Sequence, residues 1–252
     1  MHGPEGADAV LFGHSVLCDC EMFDAQVAAL ADRFRVVTVD FRGHGKSDPA
    51  RSAFEVADLG RDYVAVLDAV GVQRAVVVGL SLGGMAAMCL ARDAPERLRG
   101  LVLMDTNADA ETPLRSARLR ALAATGRLFG IRPWLRKQAM KELFGATFRA
   151  RSPEIVQRWS DKLGAMDRQS ASRGIGAVVR RDDMSEALRG VRVPTLVVVG
   201  DEDTATPLGY SHHIAELVPG ARLEVLPQVG HLSTIEAPTL TAKLIRRFCE
   251  GL

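Results

Sequence analysis

A serine held between two glycines, where a run of valines stops, is the pattern in this chain with the most chemistry in it. Val76-Val77-Val78-Gly79-Leu80-Ser81-Leu82-Gly83-Gly84 reads as a β-strand that enters a G-x-S-x-G turn and leaves it as a helix. In such a turn the serine backbone is strained and its hydroxyl stands clear of the sheet. Glycines flank it because a Cβ at Gly79 or Gly83 would collide across the turn. Ser81 is thereby a candidate nucleophile. A glycine-rich phosphate cradle is the competing reading, and its spacing is missing. There is no G-x-G-x-x-G, and no lysine follows the glycines as a Walker A loop requires.

A serine hydroxyl attacks a carbonyl only if a base takes its proton. His231 is placed for that work: it follows Val229-Gly230, just past an apolar strand-like run, and precedes a final helix beginning near Glu236. The other histidines fit poorly. His44 lies in a glycine-rich turn, His212 and His213 fall on a surface helix, His2 is terminal, and His14 borders a loop where a structural hydrogen bond is the expected role. The base needs a carboxylate to hold its tautomer and stabilise its charged form. Gly200 to Pro207 offers Asp201, Glu202 and Asp203, which gives the chain order Ser, Asp, His. Asp105, at the end of the preceding strand, is a rival, its alternative role being to cap the chain's exit from the sheet. An oxyanion would need two backbone N–H donors. Leu82, directly after the serine at a helix start, supplies one, and a residue of His14-Ser15-Val16 supplies the other.

These groups must be carried by something rigid. Valine- and leucine-rich runs alternate with helix-period segments, the signature of a mainly parallel sheet with helices on both faces. The expected strands are Ala9 to Gly13, Phe34 to Asp40, Ala75 to Leu80, Leu98 to Asp105, Val193 to Gly200 and Arg222 to Pro227. Core-facing helical stripes are Phe23, Val27 and Leu30, then Val56, Leu59, Tyr63, Val66 and Val70, then Leu240, Leu244 and Phe248. Thr106 to Gly190 breaks the alternation and is too long for a structureless loop. Ser152-Pro153-Glu154 and Arg132-Pro133 start helices there, so the segment reads as an inserted helical cap. The expected organisation is core (1–105), cap (106–190) and core again (191–252).

The cap holds both tryptophans and roughly twice as many basic as acidic residues. Its arginines suit a mouth that attracts carboxylates, although most are expected on outer, solvated helix faces. Over all 252 residues, 32 basic and 31 acidic side chains nearly cancel, which removes any global argument for nucleic acid or anionic membranes. Cys18, Cys20, Cys89 and Cys249 form no disulfide framework, and Cys18-Asp19-Cys20 lacks a second cluster to make a metal site. A reduced, cytoplasmic setting is expected, with no metal.

Taken together, Asp40-Phe41-Arg42-Gly43-His44-Gly45-Lys46-Ser47, the turn around Ser81, Gly200 to Pro207 and Gly230-His231 make a chain that resembles the α/β-hydrolase superfamily over nearly all its length outside the cap. The resemblance is nearest to 3-oxoadipate enol-lactonase-like and small carboxylesterase members, on Gly3-Pro4-Glu5-Gly6-Ala7 and Asp203-Thr204-Ala205-Thr206-Pro207. It implies Asp203 as the acid, Val16 as the second oxyanion donor, and a structural rather than catalytic role for the loop containing His44. Two departures stand out. Most relatives carry His-Gly where this chain has His14-Ser15. The usual N-terminal hairpin is also missing, which leaves a sheet edge open to pairing in a homodimer, or else reflects a misplaced start codon.

The expectation is then an α/β-hydrolase fold and a serine hydrolase that cleaves small carboxylic esters through an acyl-enzyme without a cofactor. Trp134, Trp159, Phe129 and Phe144 are the expected lining of an apolar substrate pocket. Lactone opening of the enol-lactonase type, C–C hydrolysis and perhydrolysis use the same groups. A ligand receptor on a hydrolase fold is the alternative from a different class.

Overall fold

The structure is a computed structural model that describes Met1 through Leu252. Six strands form one sheet: β1 (Ala9–Gly13), β2 (Arg35–Val39), β3 (Ala75–Leu80), β4 (Leu98–Met104), β5 (Thr195–Gly200) and β6 (Arg222–Leu226). Every neighbouring pair is parallel and the order is β2-β1-β3-β4-β5-β6. Five strand ends fall one or two residues inside the sequence expectation, two of them for evident local reasons. Pro194 has no N–H for the ladder, so β5 begins at Thr195. At Asp105 φ turns to 45°, which stops β4 at Met104.

The helices are α1 (Asp24–Leu30), α2 (Val56–Ala69), α3 (Leu82–Asp93), α4 (Pro113–Phe129), α5 (Pro133–Leu143), α6 (Ala146–Arg151), α7 (Pro153–Ala165), α8 (Arg168–Arg180), α9 (Ser185–Arg189), α10 (Leu208–Leu217), α11 (Ser233–Glu236) and α12 (Pro238–Glu250). Strand residues alternate between two cores because successive side chains leave opposite faces of the pleat. Leu11, Val77, Leu101, Leu103 and Val197 pack with α2, α3, α9 and α10. Val10, Phe12, Val76, Val78, Val102, Met104 and Val198 pack with α1 and α12. Each such side chain contributes about 1.5–3 kcal/mol by leaving water.

Between β4 and β5 there is no strand, only α4 to α9. Pro133 and Pro153 are first residues of α5 and α7, as their fixed φ favours. In α12 the expected stripe shifts by one residue. Leu240 is exposed, while Thr241, Leu244, Ile245 and Cys249 are buried. The Thr241 hydroxyl receives a hydrogen bond from buried Gln26 Nε2 at 2.9 Å, which turns that face inward. In α2, Leu67 is buried where Val66 and Val70 are only partly so. The outer edge of β2 is met at one point, where His2 and Val36 exchange two 2.9 Å backbone hydrogen bonds as an antiparallel bridge. No helix is long and apolar enough to cross a membrane.

Candidate active site

Sheet order brings the candidate groups together. The chain runs from β1 outward to β2 and then crosses back to β3, so β1 and β3 are neighbours whose following loops diverge, and a crevice opens at their carboxyl ends. Gly13 and Gly79 are register partners at that edge. The His14–Leu17 loop and the Ser81 turn therefore face each other.

Ser81 has φ 54° and ψ −111°, a conformation sparsely populated by any residue with a side chain. The surroundings hold it there. Its N–H donates to the Met104 carbonyl at 2.9 Å, and its own carbonyl accepts from Thr106 Oγ1 at 2.8 Å. The glycines are required by space: a Cβ on Gly79 would lie 2.3 Å from the Gly83 oxygen, and one on Gly83 would lie 2.0 Å from the Gly13 oxygen. All four non-glycine residues with positive φ, Leu17, Ser81, Asp105 and Gln228, lie at the carboxyl ends of strands, so backbone strain is concentrated where the site is.

The histidine and one carboxylate meet. His231 is buried, and its Nδ1 is 2.9 Å from Asp203 Oδ2. With Nδ1–H donating to the carboxylate, Nε2 is the free basic nitrogen. Asp203 is itself fixed by the N–H groups of Ala205 (2.8 Å) and Thr206 (2.9 Å) on Oδ1 and by the Thr206 hydroxyl on Oδ2 at 2.7 Å. The rival carboxylates are occupied elsewhere. Asp201 accepts from Gln228 N at 2.7 Å, and Glu202 holds Thr147 of α6 through its N–H and its hydroxyl. Asp105 is fully buried, accepting from Gly200 N at 3.0 Å and hydrogen-bonded to the Ser233 hydroxyl. Burial, with the negative charge of Asp203 nearby, pushes its carboxyl well above the usual range. It ties β4 to β5 and α11.

Val16 and Leu82 are the expected oxyanion donors. The Leu82 N–H is the first of α3, where the helix offers it no acceptor. The loop carrying Val16 is braced from behind. Gly83 N donates to the His14 carbonyl at 3.1 Å, and His14 uses both ring nitrogens structurally, Nδ1 with Ser15 O (2.7 Å) and Nε2 with Phe41 N (2.9 Å). His44 is also buried away from the reaction cleft, its Nδ1 on Arg42 O at 3.1 Å. The Asp40–Ser47 loop is organised around Asp40, which takes the N–H groups of Cys20 (2.8 Å) and Lys46 (2.9 Å).

Ser81, Val16, Thr206 and His231 open into one cleft of about 160 Å³ beneath α4, α5 and α8. Its lining corrects the aromatic expectation, since none of the four aromatic residues borders it. Trp134 and Phe129 are exposed, at 55% and 64%. Phe129 is the last residue of α4, beyond the turns that carry Leu119, Leu122 and Ala123 inward, and Trp134 in the first turn of α5 is about 100° round the helix from Leu135. Trp159 is buried with the Lys162 ammonium 4.7 Å over its ring, and Phe144 stacks on Phe148 with ring centroids 5.5 Å apart. The cleft is aliphatic. Of the cap arginines, Arg115, Arg168 and Arg181 reach it, while others pair outward, Arg136 with Asp161 and Arg158 with Glu21 among them.

The parts played here by two residues escaped the sequence reading. Glu236 accepts from Gly230 N at 2.8 Å and from Gly145 N at 3.2 Å, joining the His231 loop to the helical layer. Tyr63 donates its hydroxyl to the Gly83 carbonyl at 3.0 Å. A glutamate one helical turn past the histidine loop is a usable signal for the first. Nothing in the sequence marks the second beyond its place in an apolar stripe.

Comparison with known proteins agrees with this architecture. The family model described as alpha/beta hydrolase fold matches residues 8–238. The chain is 28% identical to 3-oxoadipate enol-lactonase 1 of Acinetobacter baylyi, covering all of this chain and 92% of that protein. It is 31% identical to 2-hydroxymuconate semialdehyde hydrolase of Pseudomonas putida, over 85% of this chain and 76% of that one. A thermophilic esterase from Thermogutta terrifontis superposes with a TM-score of 0.93 at 27% identity, over 99% of this chain and 91% of that one. A lactonase, a semialdehyde hydrolase and an esterase share the fold, and hydrolysis is what their names have in common. By the match across its sheet and its cap alike, this chain belongs to the alpha/beta hydrolase fold family.

Proposed function

We propose that this hydrolase cleaves small aliphatic carboxylic esters through an acyl-enzyme, with Ser81 as nucleophile, His231 as base and Asp203 as its orienting acid. The observation that carries the reading is the 2.9 Å contact between His231 Nδ1 and Asp203 Oδ2, which leaves Nε2 basic in the same cleft as the strained Ser81. Ser81 Oγ attacks the carbonyl carbon as Nε2 takes its proton, and the imidazolium is stabilised by Asp203. The N–H groups of Val16 and Leu82 receive the oxyanion, each donor lowering the barrier by about 3 kcal/mol. As the tetrahedral species collapses, His231 returns the proton to the leaving alkoxide. Water then repeats the sequence on the acyl-enzyme and releases the acid.

Residues 106–190 act as the cap that closes this cleft, and the reading requires no cofactor. Lactones are the second substrate class. The full-length similarity to an enol-lactonase supports them, since the same attack opens a ring when the leaving oxygen is tethered to the acyl group.

Hydrolysis of p-nitrophenyl esters of increasing acyl length, with several lactones, tests the proposal in wild type and Ser81→Ala. Turnover by wild type and a fall of about 10⁴-fold or more in Ser81→Ala is the expected result. Equal rates in the two proteins would remove the serine mechanism. Folded protein that binds esters or lactones without turnover would make the chain a receptor.

A further inference from the structure

The near-neutral balance of the whole chain hides a local excess of positive charge. Between Glu111 and Glu142 there are eight arginines and lysines and no acidic residue. Arg115, Arg118 and Arg136 are paired, with Glu111, Glu142 and Asp161 respectively. Arg120, Arg127, Arg132, Lys137 and Lys141 are exposed and enter no ion pair. The same stretch carries apolar side chains that the fold leaves uncovered. Leu128 and Phe129 in the last turn of α4 and Trp134 in the first turn of α5 are 61%, 64% and 55% exposed. Three residues join the two helices, and Leu135 packs against Gly126, where an added Cβ would lie 3.8 Å from its Cδ1. The helix ends therefore form one corner. Arg127 and Arg132 flank its apolar side chains, and Lys137 and Lys141 follow Trp134 along one face of α5.

Single exposed apolar side chains need no explanation, but three at one corner do. Charge and shape identify what covers them. Aromatic rings and a leucine standing out between unpaired cations suit an anionic lipid surface: the apolar groups enter the boundary between headgroups and acyl chains while the cations meet lipid phosphates. The three side chains protrude, so a soft surface receives them without a matching pocket. A second copy of this chain fits poorly, because a two-fold contact would set Arg127, Arg132 and Lys137 against their own copies. The corner also bounds the reaction cleft, since Gly126, Ile131 and Leu135, immediate neighbours of the exposed residues, line it.

We propose that the α4–α5 corner is a docking surface for an anionic lipid bilayer, with Leu128, Phe129 and Trp134 as its apolar anchors and Arg127, Arg132 and Lys137 as its cations. The contact is peripheral: only the corner enters the interface, and no helix is long and apolar enough to cross. Docking brings the end of the cleft bounded by Ile131 and Leu135 to the lipid surface, which gives molecules dissolved there a short path into it. The inference does not rest on Ser81 as the nucleophile and holds for a hydrolase or a receptor alike.

The chain carries its own reporter. Of its two tryptophans Trp159 is buried and Trp134 exposed, so a change of emission on lipid binding belongs to Trp134. The full chain is mixed with vesicles of equal parts phosphatidylglycerol and phosphatidylcholine. Emission should shift to the blue and the protein should co-sediment, both weakening in high salt. Trp134→Phe should still bind but lose the emission shift. Arg132→Gln/Lys137→Gln should bind about 30-fold more weakly, and Phe129→Ser/Trp134→Ser weaker by about tenfold or more. These side chains are exposed, and an unchanged thermal midpoint shows that each variant keeps its fold. Absence of both shift and co-sedimentation in wild type overturns the proposal, as does wild-type affinity in the two folded double variants. Equal binding to phosphatidylcholine alone overturns it too, because charge selects this partner. A dimer in sedimentation velocity that Phe129→Ser/Trp134→Ser dissolves, with no vesicle binding, would assign the corner to a second copy instead.

Discussion

Asp201 and Asp203 are two residues apart, yet only Asp203 touches the imidazole. Asp203 takes two backbone N–H groups, a threonine hydroxyl and the His231 Nδ1, whereas Asp201 turns back to Gln228. Asp203→Asn should retain the fold but present the wrong group to Nδ1, favouring the unproductive tautomer. A fall of about 10⁴-fold in kcat is expected. Asp201→Asn should leave kcat within a few-fold. Steady-state p-nitrophenyl ester kinetics on both variants check this, and equal losses would mean that the loop, rather than one carboxylate, is what matters. Composition and spacing alone left Asp201, Glu202, Asp203 and Asp105 as alternatives, because a carboxylate's role depends on which donors surround it. Resemblance narrowed the choice to Asp203, and the hydrogen bonds supply its physical reason.

The element that sets the proposed nucleophile is the β3 turn into α3, and it was legible because its demands are local. Gly83 is the clearest instance: a Cβ there would meet the Gly13 carbonyl at 2.0 Å, and that contact is with backbone that cannot move aside cheaply. Gly83→Ala should therefore cost about 3 kcal/mol or more, or displace Ser81 enough to abolish activity. Thermal unfolding together with ester turnover distinguishes the two, and a stable, fully active variant would contradict the packing described. The cap helices were legible only in part. Proline and cap signals gave the starts of α5 and α7, yet the inward faces were misjudged, with Trp134 and Phe129 outside and Leu135, Leu119 and Leu122 inside. An aromatic ring is apolar enough to suggest a pocket, but helical phase relative to the sheet is fixed by contacts between helices far apart in sequence.

At the scale of the whole molecule, two buried imidazoles tie stability to pH. His14 is pushed down to about 4 and His44 to about 3, in both cases chiefly by burial, which disfavours the charged ring; the charge of Asp40 works the other way on both. Their folded values lie below the ordinary 6.5. The unfolded chain therefore binds protons that the native state refuses, and the stabilisation, full above about pH 6.5, is lost as pH falls from 6.5 toward 4. At pH 5 the loss is about 2 kcal/mol for each histidine. Urea unfolding at pH 7.5 and pH 5 should show this weakening, and His44→Asn, whose amide can still donate to Arg42 O, should flatten it by one histidine's share. An unchanged slope in that variant would mean that His44 does not reject protons in the folded state.

The sequence by itself determined the strands, the turn that lifts Ser81 above the sheet, the histidine that follows the last strand and the helical character of the insert. Each of these depends on interactions within a few residues: hydrophobic period, proline and glycine geometry, and sterics across a tight turn. Tertiary structure decided which carboxylate meets His231, which faces of the inserted helices line the cleft, and that Glu111 pairs with Arg181. Those outcomes follow from segments such as Asp203 and His231, or Glu111 and Arg181, that come together only when the sheet and its covering helices pack, and no local pattern records which partner a side chain will find there.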